Sequence, residues 1–200
     1  MFPGVWGGKW QRRPRPGRCW DYKGKGKDKT MGKKVAVVTG AANGIGQASA
    51  LKFAREGYAV AMIDISPALS RTEEMGGEFL SCVGDVQDET AMENFINTVI
   101  EVYGRIDVLN NNAGIVVVKP LEDTKFEEFE RVAKVNIGGT FVLTKLVLPM
   151  MKQQKEGSIV NPATWVRRNM PFTGRPRGRS SRLRGRLPGR WRITTSESTP

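Results

Sequence analysis

Histidine is absent from all 200 residues. That excludes a histidine-bearing zinc site and a Ser-His-Asp triad. Cysteine is scarce. Cys19 and Cys82 stand in stretches of quite different composition with no Cys-x-x-Cys between them, so no disulfide framework is implied. No apolar run approaches the roughly 20 residues of a membrane span. The N-terminus also lacks the apolar core of a signal peptide. A reduced, cytoplasmic setting is the expectation. Tyrosine occurs only at positions 22, 58 and 103, and no lysine follows Lys155.

What is present is unevenly distributed. The length suits one domain with its own core. The net charge of +12 would suggest a nucleic-acid partner if it were spread evenly. Residues 1–30 carry +7, residues 165–200 carry +9, and residues 31–164 between them carry −4. The expected organisation is therefore a disordered basic leader (1–30), a folded, mildly acidic domain (31–164) and an Arg/Gly/Pro-rich tail (165–200).

The folded part is organised around Val35-Ala-Val-Val-Thr-Gly-Ala-Ala-Asn-Gly-Ile-Gly-Gln. Residues 34–39 read as a buried strand, being continuously apolar and rich in β-branched side chains. Gly40, Gly44 and Gly46 follow, and residues 45–57 read as a helix. Glycines there let the chain turn tightly and let a pyrophosphate reach free N–H groups at the helix start. A second strand, 58–64, ends in Asp64, whose carboxylate suits the two hydroxyls of an adenosine ribose and repels a 2′-phosphate. Neither Asn43 nor Ile65 is basic, which favours NAD over NADP. Further strands read at 78–83, 106–110 and 157–161. A helix over 88–103 places Met92, Phe95, Ile96, Val99 and Tyr103 on one side. Thr124-x-x-Glu127 reads as a capping box for the next helix. Residues 137–151 are apolar nearly all round, which calls for two buried faces, one on the sheet and one on a partner subunit.

The spacing Thr39-Gly40-x-x-x-Gly44-x-Gly46 resembles that of the short-chain dehydrogenase/reductase family. Asp85, Asn111-Asn112-Ala113-Gly114, Asn136 and Gly157-Ser-Ile-Val-Asn161 extend the resemblance in order, over residues 33 to about 164. It implies an α/β fold, a Rossmann-type doubly wound parallel sheet in three αβα layers, here truncated after the fifth strand. It implies NAD-dependent hydride transfer between an alcohol and a ketone or aldehyde. It also implies a dimer or tetramer, and cofactor contacts at Gly40, Asn43, Gly44, Ile45, Gly46, Asp64, Asp85, Val86, Asn112, Ala113 and Gly114. Asp85 and the backbone of Val86 would meet the adenine ring. Asn136 would hold a water that relays protons to the catalytic lysine, and Thr164 falls at the catalytic serine position.

The family's Tyr-x-x-x-Lys is missing. Its phenol is the general acid/base, with a free pKa of about 10 that the lysine and the nicotinamide charge lower. Without that pair the chain is expected to be inactive or impaired. The alternatives are a catalytically dead dinucleotide-binding module and a nucleic-acid binder acting through the Arg-rich tail. Residues 165–200 hold ten Arg but no Ala, Lys, Asp, Gln or Tyr. Such a break in composition suggests a shifted reading frame near residue 162, since GC-rich DNA read off-frame is rich in Arg, Gly and Pro codons. On this reading strand five has an open edge and one sheet face loses its cover, so the chain should be poorly soluble. Sequencing the transcript across the codons for residues 158–165 tests it. A second frame running on into Tyr-x-x-x-Lys is the expected result. An Arg-rich frame with no open alternative would make the tail genuine.

Overall fold

A computed structural model of the chain describes residues 32–69, 78–161 and 190–194. The leader, Thr164 and the tail apart from 190–194 lie outside these residues. Strand β1 (Val35–Thr39) leads through a glycine turn into helix α1 (Gly44–Arg55) and then β2 (Ala59–Asp64). A single 3-10 turn, Pro67–Leu69, follows β2. Next come β3 (Phe79–Val83), α2 (Glu89–Tyr103) and β4 (Val108–Asn110). A long helix then runs as α3 (Phe126–Ala133), a π-helical turn (Lys134–Gly139) and α4 (Thr140–Gln154), ahead of β5 (Glu156–Val160).

Among the described residues all strand pairings are parallel, in the order β3-β2-β1-β4-β5 with a further strand, β6 (Arg190–Thr194), beside β5. This is the 3-2-1-4-5-6 order of the doubly wound sheet, with its ligand crevice at the carboxyl ends of β1 and β4, where the order reverses. The open edge expected at β5 is thus corrected. Residues 190–194 pair along its full length, from Glu156 opposite Arg190 to Val160 opposite Thr194. An unpaired edge offers a row of free N–H and C=O groups, and Trp, Ile and Thr are good strand formers.

The inner strands are apolar on both faces because both are covered. Val35, Val37, Ala59, Ala61, Ile63, Leu109 and Ile159 meet Phe95, Ile96 and Val99 of α2 and Leu143, Val147 and Met151 of α4. On the other face Val38, Val60, Met62 and Phe79 pack against Ala50 of α1 and Leu69. Helix α2 is capped at Asp88, whose carboxylate accepts from Ala91 N at 3.0 Å, and stops at left-handed Gly104, φ 71°. The capping box lies one residue later than its sequence pattern suggests: Lys125 N donates to Glu128 at 2.9 Å, while the Thr124 hydroxyl donates to Pro120 O. Cys82, buried on β3, is disulfide-bonded, against the expectation of no pairing; its partner lies outside the described residues.

The continuous helix Phe126–Gln154 is 29 residues long, and by length and composition alone it is apolar enough to cross a membrane. Counting uninterrupted apolar residues missed this because Lys134 and Lys145 break the run. In the fold it lies along the sheet through Leu143, Val147 and Met151, each at most 1% exposed.

The amino ends of the strands are tied by Asp107. Its buried carboxylate accepts from Val35 N at 2.7 Å and takes a two-pronged bond from Arg105, at 2.9 and 2.6 Å. This joins the loop before β4 to the first residue of β1. Gln154 ties the end of α4 to the same edge through Ile106 N and O, both at 2.9 Å. Asp107→Ala strands a buried N–H and a half-buried guanidinium. We expect it to cost about 2–4 kcal/mol, and Asp107→Asn distinctly less. Urea midpoints at unchanged denaturant slope measure both.

Candidate functional site

The crevice begins at the turn after β1. Gly40 and Gly44 have φ of +65° and +55°, the left-handed region that side chains resist. Gly46 is required by space: a Cβ there would lie 2.0 Å from Gly40 O and 2.5 Å from Asn112 Nδ2. The turn therefore folds back on the start of α1 with no side chain between. Asn43 is the N-cap residue but makes no side-chain cap bond, and the first turn has no acid. The N–H groups of Gly44, Ile45 and Gly46 precede the first intrahelical donor, Gln47, and find no acceptor among the described residues. Three free donors at the positive end of a helix make an anion cradle.

Asp64 stands at the carboxyl end of β2. Its Oδ2 accepts from Ala42 N at 3.0 Å and its Oδ1 from Ser66 N at 2.8 Å. A carboxylate has about four acceptor directions, so roughly two remain for the hydroxyls of a diol. Its chain neighbour Ile65 is exposed. Asp85 and Val86 follow β3. Val86 is buried, so close to the π turn that a Cβ on Gly139 would come within 2.9 Å of it.

Asn112, Ala113 and Gly114 close the crevice from β4. Asn112 Nδ2 donates to Thr39 O at 3.1 Å and Gly40 O at 3.2 Å. Ala113 N donates to the buried hydroxyl of Thr39 at 2.8 Å. The loop after β4 is thereby fastened to the glycine turn, 72 to 74 residues earlier in the chain. The sequence motif gives Thr39 no role; the three-dimensional contact supplies it. Asn111 reaches the other way, donating to Asn161 at 2.8 Å at the end of β5.

Asn136 sits in the π-helical turn. Its Oδ1 accepts from Ile115 N at 2.9 Å and its Nδ2 donates to Ile115 O at 3.0 Å. The amide thus pairs with one residue as a strand neighbour would. Its main-chain carbonyl accepts from the Thr140 hydroxyl at 2.9 Å. The Asn136 side chain is thus spent on the loop after β4. The far end of that loop is held by the Lys119–Glu128 ion pair. Lys119, and then the N–H of Lys125, keep the Glu128 carboxyl below the usual carboxylate range. Its stabilising effect is therefore present above the unfolded-state pKa and is lost as pH falls through the lowered value.

The glycine turn, Asp64, Asp85, Val86, Asn112, Ala113, Gly114 and Asn136 all gather at this one end of the sheet. The described tyrosines do not. Tyr58 leads into β2 and Tyr103 ends α2, so both stand at the opposite edge.

Residues 34–172 match the profile of the short chain dehydrogenase family. An uncharacterized oxidoreductase of Bacillus subtilis is 41% identical over 139 residues, 67% of this chain and 54% of the relative. A 3-oxoacyl-[acyl-carrier-protein] reductase of Thermotoga maritima is 41% identical over 138 residues, 66% of this chain and 56% of that protein. The meso-2,3-butanediol dehydrogenase of Serratia marcescens is 39% identical over 134 residues, again 66% of this chain and 53% of that protein. A crystal structure of a short-chain dehydrogenase from Streptomyces avermitilis superposes with a TM-score of 0.62 at 31% identity, covering 66% of this chain and 49% of that one. The chain spans about half the length of the curated relatives it matches.

Proposed function

This chain belongs to the short-chain dehydrogenase family, and from that premise we propose that it binds NAD in the crevice between β1 and β4. The observation that carries this reading is the open triad of N–H groups at Gly44, Ile45 and Gly46, set by a turn in which Gly40 and Gly46 leave no space for a Cβ and Gly44 takes a φ of +55°. These donors hold the pyrophosphate, with Asn43 at the rim. Asp64 takes the adenosine ribose diol with its two remaining acceptor directions. Its negative charge, with no cation at Asn43 or Ile65, disfavours a 2′-phosphate. Asp85 and Val86 meet the adenine. Asn112, Ala113 and Gly114 give the flat cofactor a wall of small side chains and satisfied amides. When bound, the nicotinamide supplies the hydride acceptor or donor for alcohol–carbonyl chemistry.

The proton has no comparable provision. No tyrosine stands at the carboxyl edge among the described residues, and the sequence contains no Tyr-x-x-x-Lys. Asn136 keeps the loop after β4 against the π turn, and Thr164 offers a hydroxyl in the sequence position of the family's serine. The chain as written therefore binds cofactor with little or no turnover, whereas its family oxidises small alcohols or reduces ketones and aldehydes.

We further propose that the long helix pairs with a second copy, as a dimer or within a tetramer. Its inner face is filled, while Ile137 and Phe141 on the π turn and α4 are 70% and 66% exposed. Large apolar side chains at such exposure on one helix favour a partner surface.

Two measurements test these readings. In fluorescence titration the full chain should bind NADH at least about tenfold tighter than NADPH, and Asp64→Ala should narrow that gap. Equal affinity, or a preference for NADPH, rejects the role given to Asp64. In sedimentation the wild-type chain should run as a dimer or tetramer and Phe141→Glu as a monomer. A wild-type monomer rejects the interface.

A further inference from the structure

The loop after β3 contains a side-chain clamp that the cofactor reading does not use. Gln87 N donates to Asp85 Oδ1 at 2.9 Å. The Gln87 side-chain amide also donates to the same carboxylate, to Oδ1 at 3.3 Å and to Oδ2 at 3.1 Å. The two contacts differ in effect. A single bond to Oδ1 leaves the carboxyl group free to swing about Cβ–Cγ. An amide nitrogen bridging both oxygens fixes the carboxylate plane.

The bridging amide occupies the two inner lone pairs, and the Gln87 N–H takes an outer one on Oδ1. One outer lone pair on Oδ2 remains. The next residue, Val86, has an N–H with no acceptor among the described residues. Its side chain is buried against the π turn, which fixes that donor in turn. Asp85 and Val86 therefore present one acceptor beside one donor, each held in place.

The geometry points to Gln87 as the positioning residue that sets base selectivity in the adenine subsite. This inference rests on the proposed dinucleotide site. Adenine offers a donor at its 6-amino group beside an acceptor at N1, the complement of that pair. Hypoxanthine offers the reverse, an acceptor at O6 beside a donor at N1–H, so it meets acceptor with acceptor and donor with donor. A freely turning carboxylate could swing to accept from N1–H. The bridged one cannot, and it is Gln87 that bridges it.

The test compares NADH with its hypoxanthine analogue, reduced nicotinamide hypoxanthine dinucleotide, by fluorescence titration of the full chain. Wild type should prefer NADH by about tenfold, the worth of a bond to a charged acceptor. Gln87→Met keeps the length and packing of the side chain but has no donor. It should cut the preference to within about twofold, largely through tighter binding of the hypoxanthine analogue. Asp85→Ala should abolish the preference by weakening NADH. Gln87→Ala repeats the test should the methionine variant fold poorly, with the melting curve of each variant as control. A Gln87→Met chain that keeps the wild-type ratio overturns this inference alone, as does a wild type that binds both dinucleotides equally. A wild type that binds neither overturns the cofactor reading and this inference with it.

Discussion

Between Gly40 and Gly46 there is no room for a methyl group. A Cβ on Gly46 would lie 2.0 Å from Gly40 O, and one on Gly40 would lie 2.9 Å from the Cα of Ala113. This contact brings the start of α1 against the end of β1 and brings the loop after β4 over both. Asn112 and Thr39 convert the proximity into bonds, the amide to the carbonyls of Thr39 and Gly40, the hydroxyl from Ala113 N. The helix N-terminus is thereby aimed into the crevice with its first N–H groups unspent. Every later feature of the site is placed relative to that turn.

The rest of the fold keeps this contact in register. Parallel strands without hairpins rely on helices and end-ties to fix their stagger. Asp107 supplies the tie at the amino end of the sheet, joining Val35 to the approach to β4. Asn111 and Asn161 supply one at the carboxyl end, between β4 and β5. The π turn adds a third, because Asn136 holds Ile115 on both sides of its amide. An extra residue in a helical turn is tolerated where it serves a site. Here it turns an asparagine toward the loop that borders the crevice.

The chemistry is divided unequally. The free N–H groups at the start of α1, the carboxylates of Asp64 and Asp85 and the N–H of Val86 stand together at one edge. A group able to move a proton at neutral pH does not stand with them among the described residues. Binding and turnover in this family draw on different parts of the chain, so a protein can keep the determinants of one and lack those of the other. The exposed Ile137 and Phe141 belong to the same half, on a helix whose inner face is already filled.

The sequence by itself determined the strands and the glycine turn, while the strands' parallel order was implied by the family resemblance. Continuous β-branched runs, helical periodicity and glycine spacing are local patterns, and each is set by interactions within a few residues. It also determined the absence of Tyr-x-x-x-Lys, which is a matter of inventory. Only the tertiary structure decided which polar groups are already spent. Asn136 reads as a proton-relay residue along the chain, yet its side chain is committed to Ile115, 21 residues earlier. The capping box shifted by one position, and the edge of β5 gained a strand from residues 190–194 that carried no visible period. Hydrogen-bond partners distant in sequence leave no local signature, because a donor is satisfied equally well by any acceptor the fold brings within reach.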